Sequence, residues 1–199
     1  MVAAAFVLLA AGAAFAAPDQ GTRDRQNVLR KQLEAHSGMS VGVKQLVLKD
    51  LLPMTANEVW VQAVGEQNAK NVPLQAIKDV DTSLDSAEDE QPIHRSLSTS
   101  PCAKEIVKLA EARPVVKKVF VLDNQGASVC QNAFSKTYWQ GESEGWRTSY
   151  GGGLGGVSVE SVQYDDTAYA NLQEVSLPVI GANGQVIGAV KFAIAVDAK

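Results

Sequence analysis

The sequence of 199 residues is poor in the residue types on which most metal and catalytic sites depend. It has two histidines, His36 and His94, two cysteines, Cys102 and Cys130, and no C-x-x-C motif. Structural zinc sites need four such ligands at close spacing, so we expect no metal site and no other cofactor. A nucleophile paired with a histidine base is equally unsupported, and we do not expect an enzyme.

The sequence also lacks an excess of basic residues. It has 18 Lys and Arg against 22 Asp and Glu, a formal net charge of −4 and an isoelectric point near 5.2. Proteins that bind nucleic acids cluster Lys and Arg against phosphates, so we expect no nucleic-acid partner. With 46% hydrophobic residues the chain can bury a core, and its length allows one domain with accessories or two small domains.

Beyond the first 17 residues the sequence has no apolar run long enough to span a bilayer. Residues 1–17 are rich in Ala, Val, Leu and Phe, and Ala14-Phe15-Ala16 fits the A-x-A cleavage pattern. This predicts a secretory signal peptide cleaved near Ala16 and a periplasmic or secreted protein. No Lys or Arg precedes the apolar core, so the n-region is defective or the true start lies upstream. An uncleaved N-terminal anchor is the alternative to export.

Both cysteines lie in the part of the chain that we expect to be exported. Two cysteines in an oxidising compartment commonly pair. A bridge between Cys102 and Cys130 would close a loop of about 27 residues and contribute roughly 3 to 4 kcal/mol through chain entropy. The alternative is two buried free thiols, because the sequence does not reveal whether the Cβ atoms approach each other.

The spacing of apolar residues is helical up to Pro114 and extended after it. Thr55 and Glu58 fit a capping box, and Ser100-Pro101 fits the start of the last helix before Pro114. Helices followed by strands predict an α+β fold, with helices packed on one face of a mostly antiparallel meander of about five strands. Strands are predicted at 117–123, 127–132, 157–164, 169–179 and 185–197.

Three motifs resemble functional ones but lack the required context. Residues 141–145 fit G-x-S-x-G, yet an aromatic loop precedes them and no histidine follows Ser143, as a serine hydrolase would require. Residues 151–156 fit G-x-G-x-x-G but lead into a predicted strand, where a dinucleotide site needs a helix. The acidic run 81–90 lacks the glycine and spacing of a calcium loop, so we interpret it as a solvated helix face.

The last predicted strand has two different faces. One face is bulky and is expected to pack on the helices, whereas the other carries small residues around a single cation, Lys191. Small residues beside an isolated cation leave room for a ligand, although Lys191 would also be tolerated on an open, solvated face. The bulky face consists of Val186, Gly188, Val190, Phe192, Ile194 and Val196.

The segment Pro114–Trp146 combines two short apolar runs with a polar loop rich in aromatic residues. Aromatic rings exclude water and a guanidinium holds a carboxylate, which is how small polar ligands are commonly bound. The alternative is that the two tryptophans only fix the loop to the sheet. The candidate ligand-binding residues are Tyr138, Trp139, Trp146, Arg147 and Lys191.

Residues 119–126, the Tyr138-Trp139-Gln140-Gly141 motif and residues 175–188 resemble the extracytoplasmic PAS-like sensor domains of the PDC or Cache family. The resemblance is greatest to small, stand-alone secreted members. It implies a helical leader and a long helix packed on a curved, five-stranded antiparallel PAS/Cache-like sheet. It also implies a pocket between the other sheet face and the loop after the second strand. Family ligands are amino acids, carboxylates or amines.

We accordingly predict a signal peptide at 1–17, a helical N-terminal region at 18–100 and a Cache-like sensor domain at 101–199. Family members usually sit between two membrane spans, and this sequence shows no second span. We therefore expect a secreted binding protein that signals through a separate membrane receptor or kinase. The alternative is a non-catalytic structural or interaction module with a vestigial pocket. Bulky residues over Lys191 would favour that alternative, and an inward-pointing Lys191 or Arg147 would favour the sensor.

Overall fold

The computed structural model describes residues 17–87 and 91–196. The predicted cleavage site near Ala16, and all of the predicted signal peptide before residue 17, lie outside the described residues. Within the described ranges, no helix combines the length and the apolar character that crossing a membrane would require. The chain forms helices first and an antiparallel sheet second, which confirms the predicted α+β class.

Helices occupy most of the described chain up to residue 112. The segment from 41 to 54 is one nearly continuous helical stretch, in which a π-helical turn at Val47–Leu51 joins two short α-helices. The α-helices of this part are α1 (Gln20–Ala35), α2 (Val41–Leu46), α3 (Leu52–Met54), α4 (Glu58–Ala69), α5 (Leu74–Asp85), α6 (Pro92–Thr99) and α7 (Pro101–Ala112).

Polar side chains set where these helices begin. Ser100 caps α7 as predicted, since its hydroxyl accepts a hydrogen bond from the third residue of the helix. The predicted capping box of Thr55 and Glu58 is wrong. Asn57 caps α4 instead, accepting from the amides of the second and third residues of that helix. The Thr55 hydroxyl donates to the carbonyl of Leu52, because the chain is still closing the preceding helical turn there.

The sheet is antiparallel throughout, and its strands lie in the order β2-β1-β6-β5-β3, with β4 also paired to β5. A simple meander was therefore the wrong expectation, because the first and last strands are neighbours in the middle of the sheet. The single strand predicted at 157–164 is two short strands on the same partner. The strands are β1 (Val116–Leu122), β2 (Ser128–Gln131), β3 (Ser158–Val159), β4 (Gln163–Asp165), β5 (Ala170–Ile180) and β6 (Val186–Ala195).

The main hydrophobic core lies between the helices and the bulky face of β6. Val190 and Phe192 are fully buried there together with Leu29 and Leu33 of α1. Trp60 of α4 is buried against Phe192, with 6.3 Å between the ring centroids. Complete burial of a side chain of this size contributes about 1.5 to 3 kcal/mol. Because alternate residues of β6 face the helices, the two-residue period of the strand decides which of its side chains are buried in this core.

A further helix, α8 (Glu144–Tyr150), lies on the opposite face of the sheet against β5 and β6. Ser143 caps it by accepting from the amide of Trp146. The sequence predicted a polar loop after β2, and the second half of that segment is this helix instead. A helix of seven residues with a single turn of apolar contacts is too short to leave a clear period in the sequence.

Cys102 of α7 and Cys130 of β2 form a disulfide, with 5.9 Å between their Cα atoms. Both side chains are buried in the main core. The bridge joins α7 to β2, the edge strand of the sheet. The sequence left open a disulfide or two buried free thiols, and the structure has the disulfide.

Replacing both cysteines, Cys102→Ala with Cys130→Ala, should lower the free energy of unfolding by about 3 to 4 kcal/mol, because the unfolded chain is no longer cross-linked. The sequence separation of the bridge is 28 residues. Chemical denaturation measures the loss. A reducing agent should weaken the wild type and leave the double variant unchanged. Equal stability of wild type and double variant would contradict the prediction.

Gly188 of β6 lies where the strand passes closest to its neighbours. A Cβ there would overlap the carbonyl oxygen of Leu122 and lie 3.0 Å from Cγ1 of Val64. Gly188→Ala should therefore cost about 1 to 3 kcal/mol of unfolding free energy. Gly65→Ala in α4 is the matched control, because nothing lies within 4 Å of its added Cβ, and it should gain about 0.5 to 1 kcal/mol. Similar stability of the two variants in denaturation would refute the close approach.

Candidate functional site

A cavity of about 510 Å³ lies on the sheet face opposite the main core. Side chains of β1, β5 and β6 form its floor, and α5 together with the chain between β2 and α8 forms its walls. The floor is built from residues that alternate with core residues along each strand, so the pocket and the core are the two faces of the same three strands.

Lys191 lies at the centre of the floor. Its Nζ is 3.3 Å from Oε2 of Glu174 and 5.4 Å from the ring centroid of Phe120. The register explains both contacts, because Lys191 pairs with Phe120 on β1 and with Ser176 on β5, which places Glu174 diagonally beside it on the same face. The lysine side chain is 17% exposed, so it points into the cavity and not into open solvent.

The second lysine of the floor, Lys118, forms an ion pair whose acidic partner is also held by backbone amides. Lys118 of β1 pairs with Asp165 of β4 at 2.5 Å. The same carboxylate accepts from the amides of Thr167 and Ala168 in the turn after β4. The hydrogen bond from Lys118 and those of the turn hold the pKa of Asp165 far below its usual range.

Glu160, just after β3, lies beside Glu174, and its amide donates to the Glu174 carbonyl at 2.9 Å. Gly145 lets α8 pack closely here, because a Cβ at this position would lie 2.7 Å from Oγ of Ser176 and 3.3 Å from Oε1 of Glu160. Burial raises the pKa of the Glu160 carboxyl, and the charge of Glu174 raises it further, whereas Lys191 lowers it. Lys191 therefore has two acidic neighbours, Glu174 in the cavity lining and Glu160 beside it.

The aromatic wall of the pocket is fixed by α5. Oδ1 of Asp81 accepts from the amides of Tyr138 and Trp139 at 2.7 and 2.8 Å. The Trp139 indole donates to the carbonyl of Gln125 at 2.7 Å, and Nζ of Lys78 lies 4.2 Å from the centroid of its ring. These contacts leave the Trp139 side chain facing the cavity in one orientation.

Asp81 itself lines the cavity, so the interpretation of the acidic run as a solvated helix face is wrong for this residue. Residues 88–90 of the run lie outside the described residues. No group of three or more His, Cys, Asp and Glu in ranges 17–87 and 91–196 is arranged to hold a metal ion.

Of the five predicted ligand-binding residues, Trp139 and Lys191 line the cavity. Tyr138 is instead buried in a small separate cluster beneath α5 and α6, where burial raises the pKa of its hydroxyl. Trp146 packs on the floor strands beside the pocket, stacks on Tyr150 and donates through its indole to a backbone carbonyl. Arg147 is exposed on α8 and is not part of the cavity lining.

Sequence reasoning missed Lys118, Glu174 and Asp81 as pocket residues. Strand alternation could have found the first two, because Lys118 shares a face with Phe120 and Glu174 precedes the core residue Val175. No local signal identifies Asp81, since its place in the pocket depends on how α5 packs against a distant loop.

The Gly141–Gly145 motif has a structural role. The Ser143 hydroxyl donates to the carbonyl of Gln140 at 2.8 Å and accepts from the amide of Trp146 at 3.2 Å, which caps α8. Both hydrogen-bonding functions of the hydroxyl are thereby used in positioning the helix that borders the pocket.

No protein-family model and no curated protein matches the sequence. Among solved structures, the sensor domain of the V. cholerae histidine kinase DctB matches with 12% identity and a TM-score of 0.36, over 87% of this chain and 54% of that one. The ligand-binding domain of the Campylobacter jejuni chemoreceptor Tlp3 in complex with 4-methylisoleucine matches with 13% identity and a TM-score of 0.37, over 89% and 61%.

The ligand-binding domain of the Pseudomonas aeruginosa PAO1 amino acid chemoreceptor PctC, in complex with GABA, matches with 11% identity and a TM-score of 0.36, over 75% and 62%. The chain thus spans between 54% and 62% of the length of these three domains. All three are sensor or ligand-binding domains of histidine kinases or chemoreceptors.

Proposed function

We propose that this chain is a small-molecule-binding sensor domain, exported to the periplasm or beyond, that passes ligand occupancy to a separate membrane receptor or kinase. The observation that carries the proposal is Lys191, a cation on the floor of a 510 Å³ cavity beside the aromatic side chains of Phe120 and Trp139. Ligand pockets commonly have volumes of about 300 to 1,000 Å³ and combine apolar walls with a few charged groups.

The chemistry of the lining favours a ligand with a carboxylate, an amine or both. Lys191 offers a cation, while Glu174 and Asp81 offer carboxylates on the floor and the wall. The Lys191–Glu174 pair is partly exposed, and such pairs contribute at most about 1 kcal/mol. A ligand carboxylate can therefore replace Glu174 at Lys191 with little loss of protein stability.

The alternative, a structural module with a vestigial pocket, would need bulky side chains over Lys191. Its neighbours on the same face of β6 are Ala189 and Ala193, which leave the space above the ammonium group unfilled. The roomy floor favours the binding function.

Export of the protein is supported by two independent features. The first is the apolar N-terminal sequence with its A-x-A pattern. The second is the buried Cys102–Cys130 disulfide, a kind of bond that persists mainly in oxidising compartments. The predicted boundary at residue 100, between a helical region and a sensor domain, stays a prediction. Asp81 lies before this boundary and Lys191 after it, so the proposed site needs both parts of the chain.

A thermal-shift screen of the purified protein against amino acids, carboxylates and amines tests the binding function. A ligand present at 100 times its dissociation constant should add about 2.7 kcal/mol of stability. No stabilisation by any of the three classes would contradict the proposal and favour the structural module.

Lys191→Ala should weaken binding of a carboxylate from that screen by about 10- to 150-fold, since a charge-assisted hydrogen bond contributes about 1.5 to 3 kcal/mol. Trp139→Ala should also weaken it, because the ring that excludes water is removed. Arg147→Ala is the matched control, since Arg147 is exposed outside the cavity, and it should leave the dissociation constant unchanged. Unchanged affinity in both pocket variants would show that the site lies elsewhere.

A further inference from the structure

The floor of the pocket contains an imbalance of charge around Lys191. Its ammonium group contacts Glu174 at 3.3 Å, and its charge also acts on Glu160. Glu144 of α8 adds a third acidic group facing Glu160. The other lysine of the floor, Lys118, is engaged by Asp165 at 2.5 Å. One cation therefore serves two neighbouring carboxylates, Glu160 and Glu174.

Glu160 is held in this position by the fold. Its amide donates to the carbonyl of Glu174, and the close approach of α8 at Gly145 partly shields its carboxylate from solvent. Burial and the charge of Glu174 both raise the pKa of the Glu160 carboxyl against the opposing charge of Lys191, which favours its protonated form.

We propose that Glu160, which borders the pocket beside Glu174, is a specificity-determining residue: it allows a carboxylate ligand to bind Lys191 together with one proton that the Glu160–Glu174 pair takes up. The inference rests on the proposed function, because it concerns the same pocket. The inference adds to that function an account of how an anion binds next to two acidic side chains.

The charges balance in this exchange. The ligand carboxylate accepts a hydrogen bond from Nζ of Lys191 in place of Oε2 of Glu174, which brings one negative charge into the floor. Glu160 and Glu174 then share a site with less positive charge, and like charges at close range favour protonation of one of them. A proton from solvent forms the O–H bond, so the net charge of the floor is unchanged.

This coupling has a defined pH dependence. Binding that takes up one proton weakens by up to about tenfold for each unit of rising pH. The effect spans the pH range between the pKa of the Glu160 carboxyl in the free protein, which is already raised, and its higher pKa in the complex. An amine ligand, which would pair with Glu174, takes up no proton and does not follow this trend.

Propionate and propylamine are matched probes of similar size and opposite charge. Their dissociation constants are measured by isothermal titration calorimetry on the full protein between about pH 6 and pH 8, where propionate stays ionised. Repeating the titration in buffers of different ionisation enthalpy counts the protons taken up. We expect propionate to bind more tightly as the pH falls, by up to about tenfold per unit, with a net uptake of up to one proton.

Glu160→Gln should make propionate binding independent of pH and abolish proton uptake, with the affinity already at its low-pH value. Glu111→Gln is the matched control, since Glu111 is exposed on α7 and is not part of the cavity lining, and it should retain the pH dependence. If Glu160→Gln does not fold, Glu174→Gln makes the same test. Propionate binding with no proton uptake in the wild type overturns this inference and leaves the proposed function standing. No binding of either probe, together with no stabilisation by any class in the thermal-shift screen, overturns both.

Discussion

The pairing of β1 with β6 is the contact on which both faces of the molecule depend. Its register places Val119 beside Phe192 on the core side and Phe120 beside Lys191 on the pocket side. Because side chains alternate along a strand, a slip of one residue would move Lys191 into the core and Phe192 into the pocket. The burial of Phe192 against Trp60 therefore fixes the position of the cation as firmly as it fixes the core.

This dependence explains how much could be predicted from the sequence. The two faces of β6 were predicted correctly, because a period of two residues is local and strong over ten residues. The position of β6 beside β1 in the middle of the sheet does not follow from the periodicity of either strand, since pairing between distant segments leaves no local pattern. The aromatic residues were ambiguous for a related reason. Tyr138 and Trp139 are adjacent, yet one enters a buried cluster and the other faces the pocket.

The wall of the pocket depends on hydrogen bonds that span the chain. Asp81 of the helical region holds the backbone of Tyr138 and Trp139, and the Trp139 indole is held by the β1–β2 turn through Gln125. A half-buried carboxylate that satisfies two amides is costly to displace, because both donors would lose their partner. The helical region is consequently part of the site and not only a cover for the core.

The two lysines of the floor differ in how firmly they are engaged, and this decides which of them can receive a ligand. Asp165, the partner of Lys118, is also held by the amides of its own turn, so that pair is stabilised by the backbone. For Glu174, Lys191 is the one ion-pair partner within the described residues, and the carboxylate shares it with Glu160. Exchange of an acid for a ligand anion is therefore easier at Lys191 than at Lys118. The small residues of β6 leave space beside Lys191, the lysine whose acidic partner a ligand can replace. The cavity and the exchangeable ion pair therefore lie at the same point of the sheet.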